Sequence, residues 1–410
     1  MRAHERESKE RREQRERRAR REKAKKLRRI LSVCGIVALF FVVFLFVKVV
    51  GKVTGNKKSG QTRKVEARED SAAGQTTKNG KITAAPDEEP SVTSTPTPSP
   101  DPRPHYEVPK FTKTKDTISI PADPDPLVYD DIYELTPLAD AAKPFKEDED
   151  PTKSKYLQSS YMILVDLESG NIVAERSSDT IISPASMTKI LTVLTAMDYI
   201  TEADLDKKVK ISQDIVDYYI INECSAVGYQ ADMEITVREL LYGTIVCSGA
   251  DAAMALAEYV AGSQEKFVEL MNKRVEEFGL SGSAHFTNVV GMYDENLHCK
   301  VGDIAVILAC AMQNELLSEI LGTRRCMSSV YTEDGTQQEI SNWFLRRIED
   351  YETNGNVIGA KTGFVEKAGS CAASMLETPA GKRYICVTGN ADSSWRCIYD
   401  HISVYRSFTK

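Results

Sequence analysis

Eighteen consecutive uncharged residues, Ile30 to Val47 (ILSVCGIVALFFVVFLFV), constrain this chain more than any other feature. A run of about 17 to 25 apolar residues is enough to cross a bilayer as a helix. A buried core helix would keep a polar stripe, and a signal peptide would lead into a small-residue cleavage site, whereas GKVTGNKK follows here. The run therefore predicts an uncleaved transmembrane helix over residues 30–50. The 29 residues before it hold fifteen Lys and Arg against six Glu, about +9 locally in a chain whose net charge is -7. Cationic flanks stay on the cytoplasmic side. Residues 1–29 are thus expected as a basic cytoplasmic tail that touches anionic lipid rather than nucleic acid, with an acidic body outside the cell membrane.

Beyond the helix, residues 51–154 are polar and poor in apolar side chains, culminating in PDEEPSVTSTPTPSPDPRP. Such a stretch cannot bury enough surface to fold and reads as a low-complexity extracytoplasmic linker. About 100 residues of coil would reach about 55 Å on average.

The folded body is expected over residues 155–410. YMILVDL and IVAERS around ESGN predict a hairpin, and CAASMLE and RYICVTG around TPAGK a second one. Between them the pattern is helical. Ser183 and Pro184 signal a helix start running to about Tyr199, Thr236 and Glu239 a capping box, and Phe267, Leu270, Met271, Val275 and Phe278 one face of a later helix. Strands at both ends with helices between predict an α+β fold, an antiparallel sheet packed by helices. Eight cysteines fall in this body (Cys224, Cys247, Cys299, Cys310, Cys326, Cys371, Cys386, Cys397), a number that permits disulfides without giving pairings. With no Cys-x-x-Cys pair and no His-Glu-x-x-His, neither a metal nor another cofactor is expected.

The segment ISPASMTKILT, residues 182–192, carries the chemistry. A serine hydroxyl is a weak nucleophile until a base takes its proton, and a lysine can be that base only if burial or a nearby cation lowers its pKa. Positions i and i+3 share a helix face, so the Lys189 amine can reach the Ser186 hydroxyl. Ser263 and Lys266 have the same spacing, yet there the serine reads as a helix cap beside an exposed lysine. Ser186 differs because Ile190, Leu191, Val193, Leu194, Met197 and Ile200 line several faces of its helix, and a lysine at the mouth of a buried helix needs a reason. Further on, GAKTGF offers Lys361 and Thr362, a cation and a hydroxyl able to hold a carboxylate, with Gly363 allowing close backbone approach to a ligand.

From about Tyr161 onward the chain resembles the serine D-alanyl-D-alanine carboxypeptidases, the low-molecular-mass penicillin-binding proteins of β-lactamase/transpeptidase-like fold. The likeness rests on Ser-x-x-Lys at Ser186, Ser-Gly-Ala at Ser248, Lys-Thr-Gly at Lys361, and their settings VDLESGNIVAERSSD, PASMTK, TVRELLYGTIVCSGADAA and GAKTGFVEKAGSCAAS. It implies that Ser186 forms an acyl-enzyme, that Lys189 is its base and that Ser248 relays protons to a leaving D-alanine. It implies further that Lys361 and Thr362 bind the terminal carboxylate, Gly363 lies beside them, and the amides of Ser186 and Phe364 form the oxyanion hole. The substrate would be a peptidoglycan stem pentapeptide, β-lactams would inhibit, and the amino-terminal helix would anchor the enzyme to the membrane.

One position departs from the pattern. Ala250 stands where the family usually has Asn, removing an amide that would support the lysine and the substrate, at a cost of about 1 to 3 kcal/mol unless another group fills in. A catalytically weak or inactive wall-binding sensor of the same fold is the first alternative. A β-lactamase is the second, although no Glu-x-x-Leu-Asn stretch is found for deacylation.

Overall fold

The computed structural model describes residues 103–121, 157–332 and 334–409. The basic stretch 1–29 and the apolar run 30–50 lie outside them, as does most of the region read as linker. Among the described residues no single helix is long and apolar enough to cross a membrane.

The body is built on one six-stranded sheet. Its strands are β1 (Thr112–Ser119), β2 (Tyr161–Asp166), β3 (Asn171–Arg176), then, past the two-stranded pairs β4 (Lys208–Lys210) with β5 (Glu234–Thr236) and β6 (Arg325–Tyr331) with β7 (Gln337–Ser341), β8 (Asn356–Val365), β9 (Gly369–Glu377) and β10 (Arg383–Ala391). The spatial order is β1-β3-β2-β10-β9-β8. Both predicted hairpins are present, β2 with β3 and β9 with β10. The helices are α1 (Thr188–Ala196), α2 (Gln213–Ile221), α3 (Val237–Val246), α4 (Ala250–Ala261), α5 (Gln264–Glu277), α6 (Val301–Ala311), α7 (Glu315–Gly322), α8 (Leu345–Ile348) and α9 (Ser394–Phe408).

Successive strand residues point to opposite faces, and here both faces are covered. Ile163 and Val165 of β2, Ala373 and Met375 of β9 and Ile385 and Val387 of β10 join the larger core with α1, α3, α4, α5 and α6. Met162 and Leu164, Ala372 and Leu376, and Tyr384 and Cys386 join a second core with α8 and α9. Double burial explains why these strands read as unbroken apolar runs rather than as alternating ones. The fold is thus α+β with a mainly antiparallel sheet, as the pattern predicts.

Two local expectations are corrected. First, the linker reading does not hold over 103–121. Thr112–Ser119 is an edge strand that pairs parallel with β3, the one parallel pair in this sheet. Its side chains are mostly exposed and polar, so it is held by backbone pairing, by the buried Tyr106 and Ile120, and by Lys113 ion pairs to Glu175 and Asp179. A polar edge strand has the composition of a linker, and lysine on an edge discourages pairing with other chains. Second, the helical segment that follows Ser183 and Pro184 is neither capped by Ser183 nor α-helical from its start. A 3-10 turn, Ala185–Met187, intervenes, α1 begins at Thr188 and ends at Ala196, and the Ser183 hydroxyl is buried without capping anything.

The remaining helix signals hold with one change. Thr236 caps α3 by accepting from Glu239 N, but the Glu239 carboxylate does not return the bond. It instead receives the Tyr229 hydroxyl at 3.2 Å and both the amide and the hydroxyl of Ser329, tying α3 to β6. Ser263 caps α5 through Lys266 N, the structural role expected for that second Ser-x-x-Lys. All eight cysteines of the body are free thiols.

Candidate active site

Three chain segments meet between the helical layer and the edge strand β8. Ser186 sits in the 3-10 turn and Lys189 in the first turn of α1, so the i, i+3 spacing is realised across the junction of the two. The Lys189 Nζ lies 3.1 Å from Ser186 Oγ and donates at 2.8 Å to the Val290 carbonyl. Ser186 Oγ is itself 3.4 Å from that carbonyl. The turn is strained: Ala185, just before the nucleophile candidate, has φ 47. Left-handed backbone at a non-glycine residue persists where surrounding contacts enforce it.

Ser248 is also left-handed, with φ 63, in the connection between α3 and α4. Two backbone bonds set that connection, Gly249 N to Gly243 O at 2.9 Å and Ala250 N to Ser225 O at 2.7 Å. Lys361 projects from β8 and donates to Ser248 Oγ at 2.8 Å and to Thr362 O at 2.6 Å. The structure therefore joins Ser186 to Lys189 and Ser248 to Lys361. Thr362 follows on β8, half-buried, and Phe364 is 59% exposed at the strand's outer end.

Gly363 also serves the packing of the site. A Cβ at this position would lie 2.9 Å from Ser186 N and 3.0 Å from Ala185 Cβ, so the glycine lets β8 close on the turn that carries Ser186. The same closeness sets the Ser186 amide beside the Gly363–Phe364 backbone, where the resemblance places an oxyanion hole.

Both lysines are almost fully buried, 2% and 1% exposed. Burial lowers the Lys189 pKa to about 8, with the Cys224 and Cys247 thiols and Asp251 opposing the shift. Burial also pushes Lys361 well below the ordinary lysine value, and the neighbouring Lys189 charge adds to this. An amine that is unprotonated to a useful extent near neutral pH can accept a proton, which an ordinary lysine cannot do. No group of three or more potential ligands able to hold a metal ion occurs among the described residues.

Sequence reasoning missed several contributors. The Val290 carbonyl has no side-chain signature, though Asn288 and Gly291 three residues apart mark its turn. Gly291 has φ 80, and a Cβ there would fall 1.9 Å from Ala185 O, so this loop is pressed onto the nucleophile turn. Asp251, fully buried next to Ala250, accepts from the amides of Val227, Gly228, Tyr229 and Ala252 and so fixes the loop that faces α4.

Residues 147–393 match the family described as D-alanyl-D-alanine carboxypeptidase. Over 229 residues the chain is 29% identical to the D-alanyl-D-alanine carboxypeptidase DacF of Bacillus subtilis, covering 55% of this chain and 56% of that protein. The chain thus spans just over half the length of such curated relatives. Among solved structures, a Streptomyces DD-transpeptidase aligns with a TM-score of 0.54 at 26% identity, over 60% of this chain and 96% of that one. A D-alanyl-D-alanine carboxypeptidase from Mycobacterium tuberculosis aligns with a TM-score of 0.52 at 26% identity, over 61% and 90%.

Proposed function

The chain belongs to the D-alanyl-D-alanine carboxypeptidase family, and from that premise we propose that it is a serine D,D-carboxypeptidase that removes the terminal D-alanine from peptidoglycan stem pentapeptides. The observation that carries this reading is the buried Lys189 amine 3.1 Å from Ser186 Oγ. In the acylation step Ser186 Oγ attacks the carbonyl of the D-Ala-D-Ala bond while its proton passes to Lys189. The tetrahedral oxyanion is held by the amides of Ser186 and Phe364. Collapse breaks the peptide bond, and the leaving D-alanine nitrogen takes a proton relayed from Lys189 through Ser248. Water then attacks the acyl carbon as Lys189 takes its proton, and collapse breaks the Ser186 Oγ–carbon bond, freeing the shortened peptide while Ser186 Oγ takes the proton back from Lys189.

Lys361 and Thr362 hold the terminal carboxylate. A buried lysine whose ammonium is disfavoured by desolvation and by a neighbouring cation regains its charge when an anion arrives, so the site is poised for a carboxylate. Membrane attachment is part of the same reading. It is supported by the uncharged run at residues 30–47 and the basic stretch before it, and it puts the body on the side where stem peptides and β-lactams are met.

The pH dependence follows from Lys189. The unprotonated amine is the reactive form, so acylation is expected to rise with pH through about 8 and level off above it. Rates of acylation by a depsipeptide substrate between about pH 6 and 10 test this. A profile that stayed flat through pH 8 would remove Lys189 as the base.

Ala250 allows a second test. Its side chain is fully buried, and the Lys189 amine already has the Val290 carbonyl as a partner, so the support lost with the usual Asn is replaced in part. Ala250→Asn is therefore expected to change the acylation rate by less than about tenfold, equivalent to about 1.4 kcal/mol. A larger gain would mean that the natural chain has given up rate and would favour the sensor reading.

A further inference from the structure

The Lys189 amine is received by two groups, the Ser186 hydroxyl and the Val290 carbonyl, and the second is a main-chain oxygen in a loop. Such an oxygen is a dependable acceptor only if its peptide plane cannot rotate. The plane in question is the rigid unit made of the Val290 C=O and the Gly291 N–H, in which the two groups point in opposite directions. Asn288 Oδ1 accepts that Gly291 N–H at 2.7 Å, and it also accepts Val290 N at 3.3 Å and Met292 N at 3.0 Å. The Asn288 Nδ2 closes the turn by donating to Met292 O at 3.0 Å. With the N–H side held by Asn288, the carbonyl side is turned to Lys189. Gly291, with no room for a Cβ against Ala185 O, fixes the other flank of the same plane.

We propose that Asn288 is a positioning residue for acylation, which holds the Val290–Gly291 peptide so that its carbonyl orients the Lys189 amine toward Ser186. This rests on the function proposed above. A neutral amine has two N–H bonds and one lone pair. Donating one N–H to Val290 O directs the lone pair to the Ser186 O–H. As the Oγ–carbon bond forms, the O–H bond breaks and its proton goes to the Lys189 nitrogen. The amine becomes an ammonium, and its bond to the fixed carbonyl strengthens at the moment charge develops.

The loop is also anchored at places that do not touch this peptide, which supplies a control. Asn272 holds Phe286 through both its amide and its carbonyl, and Thr192 Oγ1 donates at 2.8 Å to Val289 O, the preceding carbonyl. Loosening the loop at Thr192 leaves the Val290–Gly291 plane under Asn288.

The test is the acylation rate constant for a chromogenic β-lactam, measured with pH for Asn288→Ala, Asn288→Asp and Thr192→Val, each with its melting temperature. Asn288→Ala is expected to lower the plateau rate by about 10- to 100-fold, with initial binding unchanged. It is also expected to move the pH midpoint down, because the ammonium loses an acceptor. Asn288→Asp keeps an acceptor for all three amides and should stay within about fivefold of the natural rate, with its midpoint moved up by the added negative charge. Thr192→Val should alter melting without moving the midpoint. The proposal is overturned if Asn288→Ala keeps the natural rate and midpoint, if Asn288→Asp is as slow as the alanine variant, or if Thr192→Val reproduces the loss. Should Asn288→Ala not fold, a large plateau loss in Asn288→Asp is the overturning result and retention of rate the supporting one. A natural protein that is not acylated at all would overturn the function proposed above instead.

Discussion

Ser186→Ala is expected to abolish covalent labelling by penicillin, while Ser263→Ala leaves it intact. A strained cyclic amide acylates a serine whose proton has a nearby acceptor. Ser186, half-buried, has the buried Lys189 amine at 3.1 Å, whereas Ser263 Oγ is engaged with Lys266 N as a helix cap beside an exposed ammonium. The two serines share a sequence spacing and differ in what the fold does with the hydroxyl and with the lysine. Labelled protein digested and mapped by mass spectrometry checks this, and label on any serine other than Ser186 would displace the nucleophile assignment.

The second large effect is expected at Lys189. Lys189→Ala removes the base and the ammonium that returns the proton, so acylation should fall by about 100- to 10,000-fold while initial binding of the substrate persists. Lys361→Ala is expected to behave differently, weakening binding of a substrate with a free carboxylate and lowering turnover as well if the carboxylate is held more tightly in the transition state. The contrast matters because the two amines are neighbours, and the Lys189 charge adds to the burial that lowers Lys361. Single-turnover kinetics with a depsipeptide, which separate binding from chemistry, distinguish them. An active Lys189→Ala protein would contradict the mechanism.

The sheet and its hairpins were legible because double burial writes continuous apolar runs such as YMILVD and RYICVTG. Ser186 and Lys189 were legible because i, i+3 spacing is local and an apolar helix around a lysine is conspicuous. The contact between Lys361 and Ser248 spans 113 residues of chain, so no local pattern could give it, and only the resemblance brought the two motifs together. Strand β1 was hidden because an exposed edge strand such as TKTKDTIS is held by its backbone and carries linker-like side chains. The 3-10 first turn of this helix is not legible, because Ser183 has the chemistry of a cap while its hydroxyl caps nothing and the strained Ala185 follows Pro184. The Val290 carbonyl could not be found from residue identities at all. What marks it is the pairing of Asn288 with Gly291, a turn signal whose meaning depends on Ala185 lying against it.

Cleavage of the terminal D-alanine from a stem pentapeptide through Ser186 can be read by mass spectrometry of a synthetic muropeptide pentapeptide incubated with the protein. Loss of one alanine from the peptide is expected with the natural protein and no loss with Ser186→Ala. A peptide that binds and is recovered whole from the natural protein would contradict it.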